Sequence, residues 1–433
     1  MKEGKKAYAI AERIFPICRS ITGNGVRQTL QILKEYLPEI EIKEVPSGTK
    51  CFDWIIPKEW NITEAYIEKS DGSRILDFKE NNLHVMGYSM PVDKYVTLDE
   101  LKSVVYTQPD QPDVIPYITS YYKERYGFCM SQKQKDSLKE DNYHIVIRSS
   151  LNENGSLTYG ECIIHGESKK EILISTYICH PSMANNECSG PAVSVILANS
   201  IKKMIEEKKL CKYTFRFLFI PETIGSIMYL SNHLEYLKQN MISGFNLTCV
   251  GDDRAYSFVH TRYADTITDK LLENVLSFHY PDYKAYSFLE RGSDERQYNS
   301  PGVDLPICTF SRSLFRKYPE YHTSADNLGL ISPVGLQGSY DVIMKCIIAL
   351  EYNEKYKINC FCEPQLGKRG LYPTVSQKGT YDTVKALTDF IAYADGRNDL
   401  IDISNIIKCP CEEIIEYIIK LLNAKLLHKG EGF

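Results

Sequence analysis

The amino-acid sequence predicts an α/β protein with a mostly parallel or mixed sheet, a small β-rich unit inserted into it, and a helical unit after it. Three observations support this prediction. Strand-like and helix-like segments alternate from about residue 160 to residue 353, as they do in βαβ units. Residues 51–155 contain short β-like segments, many turns and both tryptophans. After Pro364 the apolar residues again recur at helical spacing.

The segment before the insertion is predicted to be two helices and a strand. Apolar residues of the second helix recur at helical spacing: Val26, Leu30, Leu33 and Leu37. The extended segment IEIKEVP follows them. Because this segment has too little apolar surface to fold alone, we assign it to the α/β core. The predicted domains are therefore a core of residues 1–50 and 156–360, an inserted β-rich domain of residues 51–155, and a C-terminal domain of residues 365–433.

The C-terminal domain has the element order of a small winged helix. A loop leads to a helix around Leu387 and Phe390, then to a short helix, a longer helix and a terminal LLHKGEGF. Residues 381–433 contain six Lys or Arg residues against nine Asp or Glu residues, which gives a net charge of -3. An acidic surface does not suit phosphate binding. We therefore predict a packing role or homo-oligomerisation for this domain, and no nucleic-acid partner.

Composition excludes several other classes of protein. The chain has 433 residues, a formal net charge of -5, 43% hydrophobic and 25% charged residues, as ordinary globular proteins do. No run approaches the roughly 18 apolar residues of a membrane span, and charges interrupt the apolar residues at the start. We therefore expect a cytoplasmic protein without a membrane partner. Its fourteen cysteines are expected to be free thiols, mostly buried.

Three apolar segments of the predicted sheet end in residues that suit metal chemistry. ILISTYI precedes Cys179 and His180, YTFRFLFI precedes Pro221 and Glu222, and FNLTCV precedes Gly251, Asp252 and Asp253. Parallel strands of an open α/β sheet deliver ligand-binding residues at their carboxyl ends. His322 lies in a polar loop, YPEYHTSADN, before the last predicted core helix. Each residue also has an ordinary structural interpretation, such as a turn or helix cap; together they predict a zinc site.

The sequence resembles a known superfamily through five ordered motifs: HPSMANNECSG, FIPETIGS, VGDD, RGSDERQYNSPGVDLP and YHTSADN. These are similar to motifs of the zinc aminopeptidase-like superfamily, and within it of a bacterial group with an inserted β-rich domain and a C-terminal winged helix. The resemblance implies a three-layer zinc-exopeptidase core. It implies that His180, Asp252 and His322 bind metal, that Glu222 is the general base, and that Asp294 lines the substrate cleft.

The sequence departs from the two-metal pattern of this superfamily at two positions. Asn186 stands where a bridging aspartate is expected, and Thr223 stands where a second glutamate is expected. A bridging carboxylate supplies the negative charge that lets two dications lie about 3.5 to 4 Å apart. A neutral amide does not, so we expect one zinc ion rather than two. Asp253 is an alternative ligand to Asp252, and Glu187 is a candidate substitute for the missing carboxylate.

The predicted activity is metal-dependent hydrolysis of an amide bond. Candidate substrates are a small peptide, an amino-acid amide or an acylated sugar. Four residues are candidates to bind the substrate or its developing charge: Arg291, Arg296, Tyr298 and Tyr321. The alternative hypothesis is a degenerate relative that binds a ligand or a protein without catalysis, because two metal carboxylates are replaced. The aromatic residues of the inserted domain either cover the active site, bind a saccharide or form that domain's own core: Trp54, Trp60, Tyr117, Tyr121, Tyr122 and Tyr126.

Overall fold

The computed structural model describes residues 1–372 and 384–430. The chain begins with α1 (Lys2–Ile14), α2 (Asn24–Tyr36) and β1 (Glu41–Pro46). The inserted region contains β2 (Lys50–Cys51), β3 (Trp54–Ile55), β4 (Glu59–Glu68), β5 (Arg74–Asp77), β6 (Val92–Val96), α3 (Leu98–Ser103), β7 (Val105–Tyr106), β8 (Phe128–Cys129), α4 (Gln132–Asp136) and β9 (Tyr143–Asn152). The core then continues with β10 (Ser156–Ile164), β11 (Glu171–Tyr177), α5 (Ser189–Glu206), β12 (Thr214–Ile220), α6 (Ile224–Asn240), β13 (Met241–Leu247), β14 (Ser257–Val259), α7 (Ile267–His279), β15 (Lys284–Tyr286), α8 (Glu295–Tyr298), β16 (Ile307–Ser311) and α9 (Pro333–Glu351).

Eight strands form the central mixed sheet, in the order β1-β10-β12-β11-β13-β16-β14-β15. The four central strands, β12, β11, β13 and β16, are mutually parallel, whereas β10 and β14 run antiparallel to their central neighbours. Every residue of β11 and β12 is buried. Such continuous burial is typical of parallel strands that are covered on both faces. The predicted mostly parallel or mixed sheet is confirmed.

Helices cover both faces of this sheet. Ile172 and Ile174 of β11 pack in an apolar cluster that includes residues of α1, α5, α7 and α9. Leu173, between them, belongs to a second cluster with residues of α6. Because successive side chains of a strand point to opposite faces, these two clusters lie on opposite sides of the sheet. The core therefore has three layers, and its strand ends lie between the two helical layers.

The inserted region leaves and re-enters the central sheet through two adjacent strands. β1 pairs antiparallel with β10, from Glu41 opposite Glu161 to Pro46 opposite Ser156. The residues between β1 and β10 form a separate sheet with the strand order β5-β4-β9-β6. This sheet has its own apolar cluster, which includes Ile67, Phe128 and Ile145. The inserted region thus has a core of its own while both of its ends are fixed to the main sheet.

The C-terminal region consists of β17 (Tyr356–Ile358), α10 (Lys385–Tyr393), α11 (Leu400–Ile407), α12 (Cys411–Asn423) and β18 (Leu427–Lys429). β17 pairs antiparallel with β18. Glu412, at the start of α12, forms an ion pair with Lys345 of α9, and its Oε1 lies 2.7 Å from Nε2 of His279 of α7. The acidic charge of Glu412 therefore helps to hold α12 against the core. Part of the predicted loop, residues 373–383, and the end of the predicted terminal segment, residues 431–433, lie outside the described residues.

All fourteen cysteines are free thiols, as predicted, and most are buried. Across residues 1–372 and 384–430, no helix is both long enough and apolar enough to cross a bilayer.

A buried ion-pair network joins three strands of the central sheet. Arg216 of β12 donates two hydrogen bonds to Glu171 of β11, at 2.7 and 2.8 Å, and one to Glu161 of β10 at 2.5 Å. Arg216→Ala is expected to lower the free energy of unfolding by about 3–5 kcal/mol, because it leaves the buried carboxylate of Glu171 without its cation and leaves Glu161 with Lys43 alone. Urea unfolding measures this change. Arg13→Ala, which removes an exposed pair with Glu35, is the control and is expected to cost at most about 1 kcal/mol.

A second ion pair ties the inserted region to α2 and makes stability depend on pH. Arg27 donates to both oxygens of Glu59 at 2.8 and 2.7 Å, and this bonding lowers the pKa of Glu59 to about 2. The stabilisation is therefore complete above the ordinary glutamate pKa, near 4.3, and is lost as the pH falls toward 2. Glu59→Gln is expected to cost about 2 kcal/mol at neutral pH and progressively less in acid. Urea unfolding of both proteins over this pH range tests it; a difference that stays constant with pH would contradict the assignment.

Candidate metal centre at the strand ends

His180 follows the carboxyl end of β11 and is 3% exposed. Its Nδ1 lies 2.8 Å from Oε2 of Glu187, and its carbonyl accepts a hydrogen bond from Nε of Arg19 at 2.8 Å. Burial, together with the nearby charge of Arg19, lowers the pKa of His180 to about 3. The imidazole is therefore neutral, the form that binds metal, and the contact with Glu187 directs Nε2 toward the other strand ends.

Glu187 reaches His180 because the chain forms one turn of π-helix, Ala184–Cys188, before α5. The carboxylate of Asp326 accepts the backbone N–H groups of Asn185 and Asn186 at 2.6 and 3.0 Å and holds the start of this turn. π-Helical turns of this kind occur often at functional sites. Glu187 is buried, and burial raises its pKa to about 8. The structure thus places Glu187 beside Nδ1 of His180, in the position of a group that orients a metal-binding imidazole.

His322 lies in the loop between β16 and α9 and faces His180. The centres of the two imidazole rings are 5.4 Å apart. Because zinc–nitrogen bonds are about 2 Å long, this separation allows both rings to bind one ion. Burial lowers the pKa of His322 well below its usual value, and Nε2 of His322 is buried without a hydrogen-bond partner among the residues that the structure describes. A buried nitrogen of this kind is a site for a ligand that the protein itself does not supply.

Glu222 follows β12 and is half-buried near the same point. Its Oε2 lies 3.7 Å from Nε2 of His180. Burial, together with the neighbouring carboxyl of Asp294, raises the pKa of Glu222 to about 8. Thr223, the next residue, has φ 64° and ψ -74°, and the N–H of Ile224 donates to the Glu222 carbonyl at 2.8 Å. This is a classic γ-turn, a strained conformation that persists only where the surroundings enforce it.

Asp294 and Arg296 enforce the turn after Glu222. Oδ1 of Asp294 accepts the N–H of Thr223 at 2.7 Å, and Nη2 of Arg296 donates to the Thr223 hydroxyl at 2.8 Å. Asp294 is fully buried, so it lies beneath the turn and is not placed in an open cleft. Its Oδ2 has no hydrogen-bond partner within residues 1–372 and 384–430, and burial raises the pKa of Asp294 to about 6. Both side chains therefore fix the position of Glu222.

The structure does not bring Asp252 to the two imidazoles, contrary to the sequence prediction. Its Oδ1 accepts from Arg254 N at 2.9 Å and from the Ser313 hydroxyl at 2.9 Å. Its Oδ2 accepts from Ser313 N at 3.0 Å and from the Asn185 amide at 2.9 Å. With both oxygens occupied by protein donors, Asp252 fixes its loop. Asp253 instead accepts the hydroxyl of Ser332, the N-cap of α9, at 2.7 and 2.8 Å.

Thr248 is the residue that directly follows β13, and it takes the place at the strand end that was expected for Asp252. Its hydroxyl pairs with the Tyr177 hydroxyl and lies 3.3 Å from the Asn186 carbonyl. The amide nitrogen of Asn186 donates to Tyr177 Oη at 2.5 Å, while Oδ1 of Asn186 is buried and has no hydrogen-bond partner in the described part of the chain. This strand end therefore offers neutral oxygens where a carboxylate was predicted.

The other predicted substrate-binding residues separate into two groups. Tyr321 stacks on His322, with ring centres 3.9 Å apart, and so lies at the centre. Arg291 is exposed and packs over Phe288, 5.1 Å from its ring centre. Tyr298 is fully buried and pairs with the Ser175 hydroxyl at 2.8 Å. Neither Arg291 nor Tyr298 has a contact with the two histidines.

Residues 8–353 match a family model described as "Domain of unknown function (DUF4910)". The chain belongs to the DUF4910 family. Residues 354–429 match a winged helix-turn-helix model, which confirms the predicted C-terminal domain.

Relatives of this DUF4910 chain include proteins of known structure. A "Putative polysaccharide biosynthesis protein with aminopeptidase-like domain" from Clostridium acetobutylicum is 48% identical over 403 residues, which are 93% of this chain and 91% of the relative. The crystal structure of a "putative peptidase" from the same species has a TM-score of 0.91 at 45% identity and covers 99% of this chain and 97% of its own. A zinc aminopeptidase from Bacillus subtilis has a TM-score of 0.58 at 13% identity, over 80% of this chain and 94% of its own. That likeness confirms the aminopeptidase-like fold.

One residue of the centre, Cys179, was given no role in the sequence prediction. Among the described residues, one group of three side chains of metal-binding type has its ligand atoms within 4.8 Å of one another. It consists of Cys179, His180 and Glu187. The Cys179 thiol lies 3.5 Å from Nδ1 of His180 and accepts the N–H of Glu222 at 3.2 Å. Burial raises its pKa well above the usual value, so it is a neutral thiol. In the sequence, the position of Cys179 directly before His180 was the signal that could have identified it as part of the centre.

The inserted domain also reaches the centre, through Tyr117. Its ring centre lies 5.1 Å from that of His180 and 5.0 Å from that of His322. The Tyr117 hydroxyl pairs with that of Tyr121 at 2.7 Å. Tyr121 in turn lines a cavity of 190 Å³, together with Tyr88, Tyr122, Lys58 and Lys123. Trp60, by contrast, is 3% exposed and stacks on Tyr88, so it belongs to the packed interior.

The side-chain types at the centre suit a metal ion. His180 and His322 supply two neutral imidazoles, and Asn186 Oδ1 is a buried acceptor that no donor among the described residues occupies. Glu222 supplies a carboxylate beside them. Nitrogen and oxygen donors of this kind suit zinc. No second carboxylate joins Glu222 at Asn186 or Thr223, where a second ion would require one.

Proposed function

We propose that this DUF4910 chain is a metallohydrolase that cleaves an amide bond with one zinc ion and with Glu222 as the general base. The observation that carries the proposal is the pair of neutral imidazoles, 5.4 Å apart, with Glu222 Oε2 3.7 Å from Nε2 of His180. The zinc-aminopeptidase fold supports it. The description of the C. acetobutylicum structure as a peptidase supports it as well.

His180 and His322 would hold the ion, and Asn186 Oδ1 is the candidate third protein donor in place of Asp252. When bound, zinc acts as a Lewis acid that lowers the pKa of water and polarises the amide carbonyl. Glu222 accepts the proton of the attacking water at its carboxylate and delivers it to the leaving amine. Glu187 and Arg19 keep His180 in place, and Asp294 and Arg296 hold the strained turn that aims Glu222.

Among the candidate substrates, the structure favours an acylated sugar over a small peptide or an amino-acid amide. The cavity beyond Tyr121 combines tyrosine rings with the charged groups of Lys58, Lys123 and Glu124 at its edge. Aromatic faces suit the C–H face of a sugar ring, and charged groups suit its hydroxyls. The description of the C. acetobutylicum relative as a polysaccharide biosynthesis protein supports the same choice.

The decisive experiment combines metal analysis with a substrate screen. Protein purified without added metal is titrated with zinc, and N-acetylated sugars, aminoacyl amides and dipeptides are assayed for release of a free amine. We expect one zinc per chain and zinc-dependent hydrolysis, with N-acetylated sugars favoured. Protein that takes up no zinc at micromolar concentration would instead support the alternative, a ligand-binding relative without catalysis.

A further inference from the structure

Residues 115–117 of the inserted domain are bonded to the loop that contains His322. The backbone N–H of Tyr117 donates to the His322 carbonyl at 2.9 Å, and Ser324 N donates to the Ile115 carbonyl at 2.9 Å. Ile115 N donates to the Ser324 hydroxyl at 3.0 Å. This short bridged segment fixes the inserted domain to the loop at His322 and at Ser324, two residues later.

The ring of Tyr117 forms a triangle with the two imidazoles. Its centre is 5.1 Å from the ring of His180 and 5.0 Å from the ring of His322, and the two imidazoles are 5.4 Å apart. The interplanar angle with His322 is 87°, an edge-to-face contact. Since the Tyr117 hydroxyl is bonded to Tyr121, the ring has little freedom to turn away.

The two histidines are held by different means. His180 has a carboxylate, Glu187, on Nδ1. The imidazole of His322 has no hydrogen-bond partner among residues 1–372 and 384–430, and its Nε2 is buried. Its backbone has φ 57°, a conformation that is uncommon for a residue other than glycine. Metal-binding histidines normally donate their second N–H to an orienting acceptor. Here ring packing against Tyr117 and Tyr321 takes the place of that hydrogen bond.

We propose that Tyr117 is a positioning residue that orients His322 for metal binding, so that the inserted domain contributes to the geometry of the metal centre. The proposal rests on the metal site of the proposed function. It assigns the inserted domain a role apart from substrate binding: its segment 115–117 sets the direction of one metal-binding imidazole.

Zinc affinity of the full chain, measured by competition with a chelating dye, tests this role without any substrate. Tyr117→Ala is expected to weaken zinc binding about 10–100-fold, the range for loss of an orienting group. Tyr117→Phe keeps the ring and is expected to bind zinc as the wild type does. Tyr95→Ala is the matched control, because it removes another tyrosine–histidine stack of the inserted domain, with His144, away from the centre. Wild-type affinity in Tyr117→Ala would overturn the proposal.

Two further measurements separate this proposal from the proposed function. If Tyr117→Ala does not fold, Tyr117→Leu fills the volume without an aromatic ring, and wild-type zinc affinity in that variant would also overturn the proposal. In metal-free protein, diethyl pyrocarbonate should modify His322 faster in Tyr117→Ala than in the wild type or Tyr117→Phe. Absence of zinc binding in the wild type would contradict the proposed function, whereas equal modification rates would contradict the role of Tyr117.

Discussion

Replacing Glu222 by Gln is expected to reduce kcat by about 10²–10⁴-fold, the usual contribution of a general base. The amide of Gln keeps the size and the hydrogen-bonding oxygen of the side chain but accepts no proton. Zinc content should remain that of the wild type, because His180 and His322 are unchanged. Steady-state kinetics of amine release, together with metal analysis of the same preparation, measures both quantities.

Glu235→Gln is the matched control for Glu222→Gln. Glu235 lies on α6, the helix that follows Glu222, and its side chain is exposed. The same chemical change there is expected to leave kcat, KM and zinc content unaltered. Turnover by Glu222→Gln equal to that of the wild type would remove Glu222 from the mechanism, whereas loss of zinc in Glu222→Gln would make it a metal ligand.

Replacing His322 by Ala is expected to weaken zinc binding by more than about 100-fold and to abolish hydrolysis. Removal of a group that only orients a ligand costs about 10–100-fold in metal affinity, and a ligand contributes more. His180→Ala should have a similar effect, because the proposed ion is bound by both imidazoles. Folding should be retained, since His322 is half-buried and its side chain has no hydrogen-bond partner among the described residues.

His165→Ala, at an exposed histidine after β10, is the control for the two histidine variants. It is expected to bind zinc as the wild type does. The same zinc affinity in His322→Ala and in the wild type would show that the ion, if bound, uses other groups, and the cluster of Cys179, His180 and Glu187 would then be the alternative site.

The strand-end positions of His180 and Glu222 could be predicted because continuous apolar runs identify buried parallel strands, and such strands end at one edge of a sheet. Asp252 shows the limit of this reasoning. β13 ends at Leu247, so Thr248 occupies the strand end, and Asp252 lies beyond it in a loop where Ser313 and Asn185 satisfy its oxygens. An acidic residue a few positions after a strand has the right chemistry, but the exact end of the strand decides which side chain faces the site.

The contact of Glu187 with His180 depends on a local feature that the sequence did not predict. A regular α-helix and the π-helical turn Ala184–Cys188 direct neighbouring side chains differently. The carboxylate of Asp326, 140 residues away from Asn186, stabilises this turn. The resulting geometry gives His180 an orienting carboxylate, although Glu187 had been considered as a substitute metal ligand.

The sequence by itself determined the α/β class, the mixed sheet with buried parallel strands, the winged-helix end and the two histidines and glutamate that suit zinc chemistry. These follow from periodicity and residue type, which are local properties. The tertiary structure decided that Asp252 fixes a loop, that Asp294 supports a strained turn, and that Tyr117 of the inserted domain packs against both imidazoles. Contacts of this kind join residues 61 to 205 positions apart in the chain. They depend on how separate elements pack, and no spacing within one segment encodes them.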